Sequence, residues 1–330
     1  MSWHEPFPIL HFTSTLNMPI RSVCVIGGTG FIGRHVVHQL SERNISVVVP
    51  ARRRSKGHDL LLLPTVDVVE ADLYDPQQLA HVVEGQDAVI NLVGILKEDR
   101  RGDFHRVHED LPRRIVEACR VHKVGRLIHF SAVGASHDSG SQYMRSKAGG
   151  EAQVRLALSA DIRTTILRPS VVFGPDDAFL MPLACLLRMT PVLMLPCGQT
   201  RFAPVYVEDV ARVCVQALDR PDTHAQTLSL CGPDEYTFAE LVRFLARSMG
   251  LNRTVLPLND TLSFAFATLT EWLPGAPLTR DMVRATRSDS VCTGAFPEFA
   301  GPPASLDACV PGWLGGRDAR GYDRYRSLHK

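Results

Sequence analysis

The chain lacks a Cys-x-x-Cys pair, an unbroken apolar run of membrane-spanning length, and any appreciable net charge. Each absence removes a class of protein. The eight cysteines, at 24, 119, 185, 197, 214, 231, 292 and 309, stand apart from one another and from histidine at ligand spacing. No zinc module or other metal site is expected, and the pattern fits a reduced, cytoplasmic chain. A membrane-spanning helix needs about 18 consecutive apolar residues. The most apolar stretch, AFLMPLACLLRMTPVLMLPC, is broken by Arg188 and three prolines. The first residues, MSWHEPFPILHFTSTLNMPIRSV, show no cationic segment leading into an apolar core and a small-residue cleavage site, so no export signal is expected. A formal charge of +1 gives no field that would gather nucleic acid.

Of the 330 residues, 45% are hydrophobic and 22% charged, enough to bury a large core and to build one α/β unit with a smaller lobe. From 22 to about 170, short β-branched runs alternate with amphipathic stretches. SVCVIGG precedes FIGRHVVHQLSER; ISVVVPA precedes HDLLLL; VDVVEADL precedes PQQLAHVVEG; DAVINLVG precedes FHRVHEDLPRRIVEACRVH; GRLIHFSAV precedes SQYMRSKAGGEAQVRLAL. This rhythm predicts an α/β fold with a Rossmann-type doubly wound parallel sheet. The expected divisions are a flexible N-terminus over 1–20, a dinucleotide-binding domain over 21–175 and a smaller C-terminal α/β lobe over 176–295. That lobe is expected to return partly to the main sheet, and an irregular tail over 296–330 to follow it.

The strongest local signal is SVCVIGGTGFIGRHVV. Gly27, Gly30 and Gly33 follow a strand and open a helix, where a tight turn lets a pyrophosphate approach the helix N-terminus. Thr29, Phe31 and Ile32 lie between them and are expected to line the same nucleotide. After the second strand, an NAD site usually carries an acidic residue for the ribose 2′-hydroxyl, whereas a 2′-phosphate calls for arginine. Here the chain reads VVVPARRRSKG, so NADP(H) is favoured over NAD(H), with Arg52 and then Arg53 as the phosphate ligands. Asp72 and Leu73 close the third strand where adenine would lie. Asn91, Val93 and Gly94 end the fourth, where the nicotinamide ribose would pass, and Pro169 ends a later strand on the same side.

Tyr143 and Lys147 stand four apart in SQYMRSKAGGE. With six tyrosines and five lysines in the chain, the pairing arises by chance about 0.09 times. On a helix the two share a face, so Lys147 can bond the nicotinamide ribose and lower the pKa of Tyr143. Tyr143 can then act as a general acid or base, or both residues can serve purely as nucleotide contacts. His35, His38, His105, His108, His122 and His129 read as surface or capping histidines. Asp176 and Asp177 read as a loop, and Asp209 as the cap of the helix after VYVE.

Taken together, GGTGFIG at 27–33, ADL at 71–73, NLVG at 91–94, YMRSK at 143–147, RPSVVFGP at 168–175 and VYVEDVA at 205–211 resemble an extended or atypical short-chain dehydrogenase/reductase of the NAD-dependent epimerase/dehydratase type. Within that superfamily the chain looks most like the NADPH-binding accessory subunit of mitochondrial respiratory complex I and its bacterial relatives. The segment LTRDMVRATRSDSV at 278–291 carries much of that likeness. The resemblance implies tightly held NADP(H), a catalytic hydroxyl after the fifth strand in active members, and peripheral contact with the inner membrane or a respiratory complex through residues 260–285. In HFSAVGAS the hydroxyl candidate is Ser131, while Ala132 and Val133 occupy the positions that active relatives fill with hydroxyl residues. Two functions stay open on this reading. One is a nucleotide-holding accessory or assembly factor; the other is an NADPH-dependent oxidoreductase, epimerase or isomerase acting on a quinone or hydrophobic carbonyl compound.

Overall fold

Strands too apolar to face water on either side must be covered on both, and that requirement organises the molecule. The computed structural model describes residues 19–259, 261–263, 280–286 and 288–314. Strands β1 (Ser22–Ile26), β2 (Ser46–Ala51), β3 (Val66–Glu70), β4 (Ala88–Asn91), β5 (Arg126–Phe130), β6 (Arg163–Pro169) and β11 (Gln226–Leu230) form one seven-stranded sheet. Its order is β11-β6-β5-β4-β1-β2-β3, and every neighbouring pair is parallel. All residues of β4 and β5 are buried.

Helices α1 (Phe31–Glu42) and α7 (Val207–Ala217) cover one face. Val36, Val37 and Leu40 of the first, and Val210, Val213 and Cys214 of the second, pack there on Val23, Val25 and Ile90. On the other face α2 (Pro76–Val83), α4 (Leu111–Val121) and α5 (Gln142–Leu156) bring Leu79, Ile115 and Val154 against Ile26, Val89 and Leu127. A third core joins α6 (Leu180–Met189), β8 (Val192–Leu195), α8 (Phe238–Ser248) and β13 (Thr254–Pro257). Its helix α8 starts on a capping box in which Thr237 and Glu240 satisfy each other's backbone N–H.

Several expectations are corrected. HDLLLL forms only a short 3-10 turn, Leu60–Leu62, after another at Arg54–Gly57 in the loop before it, because four consecutive leucines supply no polar face for a longer helix. The tail is not irregular throughout: Leu306–Leu314 is a helix whose Leu306, Val310 and Leu314 complete the third core despite Pro311 within it. Asp209 is the third residue of α7, not its cap. Its carboxylate accepts from the Ala304 N–H (2.6 Å) and pairs with Arg212 (2.6 Å), fastening the chain that leads into the helix Leu306–Leu314. Nor are all cysteines free: Cys231 and Cys292 form a disulfide, a pairing across 61 residues that sequence spacing does not reveal. The expected flexible N-terminus, residues 1–20, lies outside those described apart from Pro19 and Ile20. Of the 260–285 segment, residues 260 and 264–279 also lie outside them, as do 315–330. Among the described residues no helix is long and apolar enough to cross a membrane.

One junction positions the site. Between α3 (Asp103–His105) and α4 the helix widens into a π turn, Arg106–Asp110, lying directly against α5. A Cβ on Gly150 would stand 2.1 Å from the His108 carbonyl oxygen, and one on Gly149 2.6 Å from the Glu109 side chain. The pair of glycines in α5 is therefore the condition for that contact. Gly150→Ala is expected to cost about 1–3 kcal/mol through overpacking against backbone, read as a lowered urea midpoint; a midpoint unchanged from wild type would show that the two helices separate freely.

Candidate functional site

The sheet order reverses between β1 and β4, so a crevice opens at their carboxyl ends. The turn between β1 and α1 floors it. Gly27 has φ +89°, a left-handed conformation, and its Cβ would lie 3.1 Å from the Val93 nitrogen; a Cβ on Gly33 would lie 2.2 Å from the Gly27 carbonyl oxygen. Helix α1 begins on Gly30 with no side-chain cap, leaving its first-turn N–H groups to face an anion. Thr29, Phe31 and Ile32 are partly exposed around this mouth. Backbone that approaches so closely, with no side chain over the helix start, fits a dinucleotide pyrophosphate.

Arg52 and Arg53 leave β2 exposed, and neither is ion-paired with a described residue. Asp72 accepts from the Tyr74 N–H (3.0 Å) and thereby shapes its own turn, while Leu73 packs on the core. Asn91 is buried and spent: its carbonyl accepts from the Val93 N–H (3.2 Å) and its amide reaches His129 Nδ1 (3.1 Å). Asn91 thus sets the path of the turn rather than presenting its amide to a ligand. A Cβ on Gly94 would stand 3.6 Å from His108 Nε2 and 3.8 Å from Lys147 Nζ, so this turn, the π turn and α5 converge at one point.

Lys147 is buried, and its ammonium donates to the Phe130 carbonyl (2.7 Å) at the end of β5. Burial brings it down to about 8. Tyr143 is one turn earlier and partly exposed. Desolvation pushes its hydroxyl up to about 12, which corrects the expected lowering by Lys147: loss of water outweighs the neighbouring cation here. His108 stacks on Phe104 (5.6 Å between centroids) and meets the Tyr143 ring edge-on (5.5 Å). Its Nε2 accepts from the Ile95 N–H (3.1 Å), so Nδ1 carries the proton and donates to Ser146 Oγ (2.8 Å), which donates to the Tyr143 carbonyl (2.7 Å). Burial and then the Lys147 charge drive His108 down to about 3, and the same causes push His129 well below its ordinary value.

Both histidines are thus interior members of the site, not the surface or capping groups that the sequence implied. For His129 the available signal was the strand RLIHF: a polar residue inside a strand buried on both faces needs a partner. Ser131 is drawn elsewhere. Its hydroxyl lies beside the Glu151 carboxylate without a well-formed hydrogen bond to a described residue. Glu151 stands two turns of α5 beyond Tyr143, about 12 Å along the axis. Burial raises the Glu151 carboxyl, but the two-pronged Arg168 contact (2.7 and 2.6 Å), Ser131 and Arg155 together bring it below its ordinary range. Val133 packs with Ala203, Cys231, Val291 and Cys292, an apolar cluster where a hydroxyl would otherwise stand. Pro169 is buried at the end of β6, and its carbonyl accepts from the Val133 N–H (3.0 Å).

Residues 23–231 match the family model described as the NAD dependent epimerase/dehydratase family. The chain is 35% identical over 241 residues to the mitochondrial NADH dehydrogenase [ubiquinone] 1 alpha subcomplex subunit 9 of Mus musculus, covering 71% of this chain but only 62% of that protein. It is 33% identical over 238 residues to a ceramide reductase of Caulobacter vibrioides, covering 72% of this chain and 74% of that one. An NADPH-dependent quinone oxidoreductase from Escherichia coli superposes with a TM-score of 0.70 over 89% of this chain and 100% of that one. At 18% identity that likeness speaks to the fold alone.

The two neutral histidines give the site a pH signature. In the unfolded chain each takes up a proton near 6.5, whereas in the fold His108 resists until about 3. Their contribution to stability is complete above pH 6.5 and is lost as pH falls below it, for His108 by about 2 kcal/mol at pH 5. Urea midpoints at pH 7.5 and 5.0 should therefore separate less in His108→Gln than in wild type; equal separations would refute the buried neutral state.

Proposed function

We propose, from the premise that the chain belongs to the NAD dependent epimerase/dehydratase family, that it holds NADP(H) and serves as an accessory or assembly-type protein related to the respiratory NADH:quinone oxidoreductase subunit. The observation that carries this reading is the missing hydroxyl. Ser131 leans on Glu151, and Val133 is packed in an apolar cluster, so Tyr143 has no hydroxyl partner from that loop to polarise a carbonyl. Removing such an electrostatic donor typically costs about 10² or more in rate. The partner assignment rests on the mouse relative, of which this chain spans 62%. Peripheral contact with the inner membrane or with that complex through 260–285 belongs to the same proposal.

A bound nicotinamide dinucleotide supplies a hydride; the rest falls to the chain. Gly27, Gly30 and Gly33 let backbone approach the pyrophosphate, with Thr29, Phe31 and Ile32 around it. Arg52, then Arg53, grips the 2′-phosphate, and Asp72 and Leu73 border the adenine. Val93, Gly94 and Pro169 would line the passage toward the nicotinamide, where Lys147 would donate to the ribose and Tyr143 would orient the ring.

A second reading, an NADPH-dependent reductase or epimerase of a hydrophobic carbonyl compound or quinone, is favoured by the retained Tyr143 and Lys147 pair and by the ceramide reductase relative. In it Tyr143 delivers the proton, Lys147 tunes it, and Ser131 must turn from Glu151 to assist.

Purification without added nucleotide separates the two readings. The first expects co-purified NADPH that a panel of quinones and long-chain ketones leaves unoxidised; rapid oxidation that Tyr143→Phe abolishes would establish the second. For the cofactor, Arg52→Ala should weaken NADPH binding by roughly 10- to 100-fold, the scale of a lost charged hydrogen bond, and leave NADH unchanged. Equal wild-type affinities for the two nucleotides would remove the arginine argument.

A further inference from the structure

The helix that carries Tyr143 and Lys147 is capped from the far end of the chain. Asp281, in the helix Arg280–Thr286, accepts from the Gln142 N–H at Oδ1 (2.8 Å), and from Ser141 Oγ (3.0 Å) and the Tyr143 N–H (3.2 Å) at Oδ2. The local cap is weak by comparison, since Ser141 Oγ reaches the Met144 N–H only at 3.4 Å. A carboxylate at this point satisfies orphan donors of the first turn and meets the positive end of the helix dipole.

The segment delivering Asp281 is itself fastened along its length. Thr200 Oγ1 donates to the Thr286 carbonyl (2.6 Å). Asp289 accepts from the Arg201 N–H (2.9 Å) and side chain (3.0 Å), and Ser170 Oγ donates to the Ser290 carbonyl (2.6 Å). Ser290 also bridges to the backbone of Arg201 and Ala203, and Cys292 is bonded to Cys231. Residues 280–286 and 288–292 therefore belong to a strap that runs from the ends of β6 and β11 to the start of α5, where Asp281 meets the Tyr143 N–H itself.

We propose that Asp281 is a positioning residue for the nicotinamide half of the nucleotide site, so that docking of the strap and occupancy of that half favour each other. This rests on the nucleotide reading given above. The strap fixes the first turn of α5, that turn orients Tyr143, and Lys147 follows one turn later on the same face. The adenosine half, built on the β1–α1 turn and the end of β2, has no contact with Asp281 among the described residues. By linkage, a nucleotide that needs an ordered first turn must stabilise the docked strap to the same degree.

The test uses the full chain stripped of nucleotide, with NADPH and with 2′,5′-ADP, which lacks the nicotinamide. Asp281→Ala should weaken NADPH about tenfold, the scale of a lost cap, while 2′,5′-ADP stays within about twofold. Asp281→Asn, which can still accept from the backbone, should recover most of the loss, and Ser141→Ala should show a smaller loss in the same direction. Amide exchange over 288–292 should slow on addition of NADPH in wild type and not in Asp281→Ala. Unchanged NADPH binding in Asp281→Ala overturns the proposal, as does equal loss of both ligands or absence of rescue by Asn. Failure of the wild type to bind either ligand overturns the nucleotide reading itself, and with it this coupling.

Discussion

A lysine ammonium removed from water at the end of β5 is the constraint around which the site is built. Lys147 reaches one carbonyl, that of Phe130, and the cost of its burial is visible in a pKa brought down to about 8. Everything beside it follows that cost. His108 and His129 are kept neutral first by burial and then by the Lys147 charge. Glu151, the next residue on the same helical face, stays ionised and gives the cluster its compensating charge. To bring His108 this near, the π turn must touch α5, and two consecutive glycines remove the side chains that would forbid it. A poor helix sequence is thus retained where packing requires it; the glycines cost roughly 1 kcal/mol each in intrinsic propensity.

The same geometry is what the proposed nucleotide-holding role rests on. Glu151 cannot be both the counterion of this interior and indifferent to the nearest hydroxyl, and Ser131 lies on its side of the helix. The position two residues on could have offered a hydroxyl toward the crevice, but Val133 there joins the apolar cluster under the disulfide. Tyr143, pushed up to about 12, is a strong proton holder and a weak donor. Proton transfer from it would need water to be restored around the ring or a substrate that brings its own polarising group.

Much of this was legible in the sequence, for local reasons. The parallel sheet follows from alternating runs whose strands are apolar throughout, and the nucleotide turn from glycines at a strand-to-helix junction. The Tyr143 and Lys147 pair is readable because four residues on a helix is a contact. What was hidden depends on partners distant in sequence. Whether His108 lies on a surface or in an interior is decided by a π turn that no spacing announces. Asp281 meets Tyr143 across 138 residues, and Cys231 meets Cys292 across 61. The helix Leu306–Leu314 contains Pro311 and Gly312, so propensity argues against it; the third core supplies the surface that Leu306, Val310 and Leu314 bury, and tertiary packing overrides the local preference.

On the coupling proposed above, Asp281 gives LTRDMVRATRSDSV a reason to accompany a nucleotide fold without belonging to its phosphate-binding elements. A Rossmann sheet supplies the adenosine half of its site from contiguous strand and helix termini, so that half needs no help from the C-terminal lobe. The nicotinamide half is different, because the helix start that carries Tyr143 has only a long, weak cap of its own. A carboxylate imported from residue 281 supplies the missing acceptor and in doing so ties the strap to the start of α5. On the coupling proposed above, a pull on the strap reaches the tyrosine through the Asp281 cap.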